Sequence, residues 1–390
     1  MSHRTAVKRT VISLALSASW PTWSWAQPAP PLDKPPIVYR RDSPGRACTL
    51  AGPDYHAGAV TFSPDGSRLF VGYDDGSIRQ HDAKSGRQLG PTVENGSTSI
   101  QALAISPDGQ GLAVAALPPG DALGRGPGPA GDVITIRRPV GTEIGKLSQM
   151  PGHVIALAYA ADGKTIGAID QFYDVRVWRV EDRGEVLNSE VHQAGNRGPE
   201  GATTRASFSA DLKRAVIVND TDSVTFKDAP WNHLVRLWEA GSKEPRFSGV
   251  RSGLGICCAL VSPDGSQFVV AQELHNVYHN DFASGRCLSW QYPASARRGD
   301  ELAFLMLSPD NRRRVSATKR YVVVDKLDDK LNGRHGFAGP HGYVRAAAFV
   351  PKGVRFATGG WDPLGNQKIA GTDLPKYEPV LLWEVEVEGM

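Results

Sequence analysis

Ala59-Val60-Thr61-Phe62-Ser63-Pro64-Asp65-Gly66-Ser67-Arg68-Leu69-Phe70-Val71-Gly72 reads as a short apolar run, a tight turn and a second apolar run. Proline pre-sets φ for such a turn, the Asp side chain bonds the backbone beyond it, and glycine accepts positive φ. Beyond this hairpin, Asp75-Gly76 signals another turn and Ser77 to Asp82 a third strand. Ser85-Gly86 then turns the chain into a fourth strand, expected at Arg87-Gln88-Leu89.

Versions of the Ser-Pro-Asp-Gly turn return at Ser106–Gly109, Ala160–Gly163, Ser209–Leu212, Ser262–Gly265, Ser308–Asn311 and Val350–Gly353. Between the third residues of successive turns lie steps of 43, 54, 49, 53, 46 and 42 positions. A period of roughly 40–45 residues is that of a four-stranded propeller blade. Four short strands cannot bury both faces alone, so the blades must stack side by side around a centre. The expectation is an all-β chain folded as a seven-bladed β-propeller. Its last repeat supplies Val344–Phe349, Arg355–Gly359 and Val380–Val385 and lacks a fourth strand. The segment Arg46-Ala47-Cys48-Thr49-Leu50 precedes blade one and is the expected donor, closing the ring and removing an exposed sheet edge.

Arg4, Lys8 and Arg9 start the chain, Val11 to Ser19 is a short apolar run, and Ser24-Trp25-Ala26 is a small-x-small cleavage site. Residues 1–26 therefore read as a signal peptide, too short in its apolar run to span a bilayer. The implied location is periplasmic or secreted, with no membrane span after cleavage. Residues 27–45, proline-rich to Pro36, read as an extended spacer, and 46–390 as the propeller. Cleavage removes three of the 44 basic residues and none of the 41 acidic ones, leaving equal numbers of each. Nucleic-acid binding would call for a basic excess or stripe, so no nucleic acid is expected.

Four cysteines, Cys48, Cys257, Cys258 and Cys287, allow three pairings in an exported chain and form no CxxC. Cys257 and Cys258 fall on an inner strand, where a vicinal disulfide is opposed by the extended backbone. His275 and His279 are four apart in a strand context, a span of roughly 13 Å, too far for one ion without a turn. No G-x-S-x-G, H-E-x-x-H or phosphate-cradling glycine loop occurs. No cofactor and no metal site are expected.

The repeats resemble those of WD40-type β-propellers over essentially the whole chain after residue 26. Asp75 to Gly86 (DGSIRQHDAKSG) follows the family's third strand, and Val175–Trp178, Val235–Trp238 and Val380–Trp383 place Trp where the family has it. Gly152-His153, Pro340-His341 and Tyr55-His56 fall near its Gly-His position. His81, Ile136, Asn280 and Val324-Asp325 stand near the Trp position in other blades. His81 is expected as a half-buried strand residue. The resemblance also implies a structural network of His341, Thr358, Asp362 and Trp383 in the last blade.

In such a fold the loops joining second to third strands share one face with the loops leading into each blade. The former are long at Leu117–Asp132, Asp220–His233 and Trp361–Pro379, the latter at Glu185–Gly201 and Leu331–His341. Insertions collected on one face mark a binding face. Trp231, Trp290 and Trp361 are expected in loops there, and with His233 and Tyr377 they are the candidate partner-binding residues. The expected function is a non-enzymatic interaction platform for another exported protein or complex, as a monomer or part of a hetero-complex. The alternative is a cofactor- or metal-dependent propeller enzyme, quinoprotein-like or lactonase-like, with acid, base or cationic side chains converging from several blades.

Overall fold

The computed structural model describes residues 37–39, 46–49, 56–95, 99–117, 131–139, 141–189, 204–219, 235–242, 245–247, 256–272, 277–291, 302–308, 313–318, 321–326, 335–338, 343–351, 355–361 and 380–384. All of these belong to one compact unit, Lys34–Met390.

Among the described residues every regular element is a strand. Two short ones come first, β1 (Ile37–Tyr39) and β2 (Arg46–Thr49). The first repeat is β3 (Ala57–Phe62), β4 (Arg68–Tyr73), β5 (Ser77–Asp82) and β6 (Val93–Glu94). The second is β7 (Ile100–Ile105), β8 (Leu112–Ala116), β9 (Val133–Arg137) and β10 (Glu143–Lys146). The third is β11 (Val154–Tyr159), β12 (Thr165–Asp170), β13 (Val175–Arg179) and β14 (Glu185–Ser189). The fourth is β15 (Thr204–Phe208), β16 (Arg214–Asn219), β17 (Val235–Glu239) and β18 (Arg246–Phe247). The fifth is β19 (Ile256–Val261), β20 (Gln267–Gln272), β21 (Val277–Asp281) and β22 (Cys287–Gln291). The sixth is β23 (Leu302–Leu307), β24 (Arg313–Thr318), β25 (Tyr321–Lys326) and β26 (His335–Ala338). The last is β27 (Tyr343–Phe349), β28 (Arg355–Trp361) and β29 (Val380–Glu384).

Each repeat is an antiparallel meander, and together they form an all-β propeller. The last repeat takes its fourth strand from the front of the chain: Arg46, Cys48 and Thr49 of β2 lie opposite Trp383, Leu382 and Leu381 of β29. Six sheets are four-stranded blades. The sheet of β23 to β26 departs from the expected pattern because β1 adds to its outer edge as a fifth strand. Among the described residues regular four-stranded blades therefore number six, where the repeat spacing predicts seven.

Apolar packing lies between neighbouring sheets rather than in one central mass. Ala59, Phe70, Ile100 and Val114 join the first two repeats. Ile134, Val154, Ile166 and Trp178 join the second and third, and Val175, Ile217 and Trp238 the third and fourth. Val216, Val235, Ile256 and Phe268 continue into the fifth, and Cys258, Val277 and Leu305 into the sixth. Met306, Phe356 and Trp383 link the sixth to the last, and Val60, Leu69, Ala357 and Leu382 link the last back to the first. Burying an aliphatic or aromatic side chain in such an interface contributes roughly 1.5–3 kcal/mol. Among the described residues no helix is long and apolar enough to cross a membrane.

Three expectations on strand placement need correction. The fourth strand of the first repeat is Val93–Glu94, and Gln88 makes only an isolated bridge to His81. Gly90 at φ 71° and the donor-less Pro91 interrupt the pairing, which resumes at Val93. Glu185–Gly201 is not loop from its start, since Glu185–Ser189 is β14. Likewise His335–Ala338, expected within the loop Leu331–His341, is β26. Glu185–Ser189 is a largely exposed outer strand, and neither segment has the apolar alternation that marks the inner ones.

Candidate functional site

The meander gives each blade two kinds of end. One end carries the turns between first and second strands, built from the Ser-Pro-Asp motif. In these turns Ser63, Ser106, Ser209 and Ser262 each donate from Oγ to the Asp two residues on, at 2.5–2.6 Å. The same hydroxyls accept the backbone N–H five residues ahead, from Arg68, Gly111, Arg214 and Gln267, at 2.8–3.0 Å. Those bonds hold the Asp65 carboxyl down to about 2, chiefly through Ser63 and the Ser67 amide, and hold Asp108 and Asp264 low for the same reasons. The turns also touch one another. The Ala161 amide donates to the Ala210 carbonyl, and the Ala210 amide to the Pro263 carbonyl. A methyl group at Gly109 would meet Pro64, and one at Gly163 would meet Pro107. From the first repeat to the fifth these turns form an interlocked collar.

The opposite end carries the connections from second to third strands and between blades. Strand bounds leave 117–132, 190–203, 220–234 and 362–379 as its long connections. A buried carboxylate anchors the first of them. Asp132, fully buried, sits just before β9 at the foot of 117–132. Its Oδ2 accepts the Val154 amide at 2.7 Å, and its Oδ1 lies 3.1 Å from Nδ1 of His153. Leu117 at the other foot donates its amide to the Ser99 carbonyl, and the Ser99 hydroxyl donates to Asp74 at 2.9 Å.

Asp170 closes the third blade on the same end. Its carboxylate accepts the amides of Gly152, Phe172 and Asp174 at 2.8–3.0 Å. Burial and the neighbouring buried Asp174 push it up to about 7, against the pull of those three amides. Tyr173, at φ 75°, carries the Arg236 guanidinium 4.0 Å from its ring centroid, at the foot of 220–234. In the third blade the Gly152 amide bonded to Asp170 ties the approach to the turn beyond the second strand.

The sequence-predicted residues fall as follows. Trp231, His233, Tyr377, His341 and Asp362 lie outside the described residues. Trp361 ends β28, and Trp290 lies within β22 opposite Tyr278, on an outermost strand rather than in a loop. Thr358 and Trp383 are both buried and meet, Trp383 Nε1 donating to Thr358 Oγ1 at 2.9 Å. His81 is fully buried rather than half-buried, with Nδ1 3.1 Å from the Gly86 carbonyl oxygen. Desolvation is the larger influence on it and lowers its pKa. His279, also on a third strand, is pushed down to about 4 by burial and by Arg314, while His275 lies outside the described residues. Cys258 is a buried free thiol and Cys287 an exposed one. Neither is in a disulfide, which removes the vicinal pairing with Cys257.

Asp132, Asp170 and the Tyr173–Arg236 stack were not singled out from sequence. Asp170 was legible by the argument applied to Asp362, since it too ends a second strand behind a Gly-His pair. Asp132 stands at the edge of an insertion and carries no local signal.

Residues 47–82 match the family model described as "WD domain, G-beta repeat". No curated protein matches the chain. Among solved structures the fold is similar to one titled "Structure of U3-55K", at 16% sequence identity and a TM-score of 0.64, covering 87% of this chain and 98% of that one. The chain is thus an all-β propeller of antiparallel meanders that carries a WD40-type repeat at residues 47–82.

Proposed function

We propose that the chain is an exported, non-enzymatic interaction platform that binds another exported protein or complex through its long-loop face. The ring has seven blades in this reading, the five-stranded sheet counting as one of them. WD40-type propellers commonly serve as interaction scaffolds, and that is the family-level support. The observation that carries the reading is the asymmetry between the two faces. One is a collar of short turns that satisfy their own polar groups and pack on each other. The other sends out 117–132, 190–203, 220–234 and 362–379, the first from a foot anchored by buried Asp132. Loops on a rigid frame are where proteins place recognition. Trp231, His233, Trp361 and Tyr377 fall in or at the start of these connections and are the contact residues proposed. Trp290, on β22, is a rim contact in this reading. Residues 1–26 support export, with a processed chain beginning at Gln27.

Replacing 118–131 or 363–378 by a short Asp-Gly turn like that at Asp75-Gly76 tests the assignment. Each variant is expected to keep its melting temperature within ~4 °C and to lose at least tenfold in affinity for the co-purifying partner. Unchanged affinity in both variants would place the binding surface elsewhere.

A further inference from the structure

The five-stranded sheet points to a second contact site, on the rim rather than on the long-loop face. Ile37, Val38 and Tyr39 of β1 lie opposite His335, Gly336 and Phe337 of β26, and the two strands run parallel. Every other strand pairing among the described residues is antiparallel. The parallel pair is therefore no hairpin. A distant segment has laid itself along an open blade edge and taken up backbone groups that the meander left unpaired. The ring does not need it: closure belongs to β2, which completes the next sheet. Pairing covers three residues, bounded by Pro35-Pro36 before and Arg40-Arg41-Asp42 after. Proline cannot donate to a ladder, so the added strand ends there. Ile-Val-Tyr is also a strand-forming composition.

We propose that the outer edge of β26 is a docking edge for an extended, strand-forming segment of a protein partner, and that Ile37–Tyr39 occupies it in cis until displaced. Recognition is by backbone pairing in parallel register, with a β-branched or aromatic tripeptide as the preferred occupant. The short pairing makes exchange cheap. This proposal is independent of the long-loop face, and either can fail alone.

The test uses the full chain and a labelled peptide spanning Lys34 to Asp42. In a variant with Ile37→Gly, Val38→Ser and Tyr39→Gly the edge is vacated. Fluorescence anisotropy is expected to show saturable binding of the peptide to this variant, at least tenfold weaker binding to the unaltered chain, and none for a peptide carrying Val38→Pro. Equal titrations for the two peptides on the variant would overturn the proposal. Should the variant not fold, hydrogen exchange on the unaltered chain decides. Added peptide is expected to strip protection from the amides of Ile37–Tyr39, and protection unchanged at millimolar peptide would contradict displacement.

Discussion

His81 and His279 show how single side chains are read differently by sequence and by fold. Both occupy third strands, and both are held neutral by burial, with His279 brought down to about 4. An unfolded histidine titrates near 6.5. Between about pH 6.5 and 4 the unfolded chain binds the proton that folded His279 refuses, so stability falls as pH falls through that window. Asp170 works in the opposite sense, because its raised value lets the folded state bind a proton between about pH 7 and 4. The clean measurement is therefore a difference. His279→Gln is expected to flatten the loss of stability between pH 6.5 and 4.5 by roughly 2 kcal/mol in urea titrations. Parallel pH curves for the variant and the parent chain would rule out His279 as the source. A sequence shows that His81 stands at a Trp position, but not that the fold buries it completely. The place of Asp170 was legible behind its Gly-His pair, but its burial beside Asp174 was not, because it is set by turns brought together from separate strands.

Turns and inner strands were the legible elements. Proline, aspartate and glycine at fixed offsets have conformational consequences, and apolar runs after them name the strands. Leu212 shows the limit of the motif. It holds φ 58° where Gly66, Gly109, Gly163 and Gly265 sit at 71–72°, and its buried packing against Val177 and Ala160 compensates the backbone cost. Outer strands such as Glu185–Ser189 were not legible, since with one side in water they need no apolar pattern. The collar makes a graded prediction. Gly66→Ala and Gly163→Ala both force a Cβ onto a left-handed backbone, at about 1 kcal/mol. At Gly66 the methyl also collides with Val350 Cγ1 of the last repeat, a stiff, buried side chain. At Gly163 it meets Pro107 at an ordinary 3.6 Å. Gly66→Ala is therefore expected to destabilise by ~2–4 kcal/mol, at least twice as much as Gly163→Ala. Equal losses in denaturant unfolding would mean that the turns do not brace each other.

On the scale of the molecule, the missing strand of the last repeat and the spare strand before the first were readable as two halves of one sheet. The fifth strand was not, because nothing in a repeat announces an addition to its edge. The two N-terminal strands separate closure from decoration. Deleting 27–52 removes β2 and is expected to abolish the cooperative transition or lower the melting temperature by more than ~10 °C. Deleting only 27–42 removes β1 and is expected to leave it within ~4 °C. If both deletions melt alike, closure by β2 is not what holds the ring. The platform reading meets its most direct test in a native mass spectrum of the protein taken from the periplasmic or secreted fraction of its host. A chain starting at Gln27 is expected within a heavier species that dissociates to release a second polypeptide. A bare chain, or one holding a small non-dissociating adduct, would contradict it.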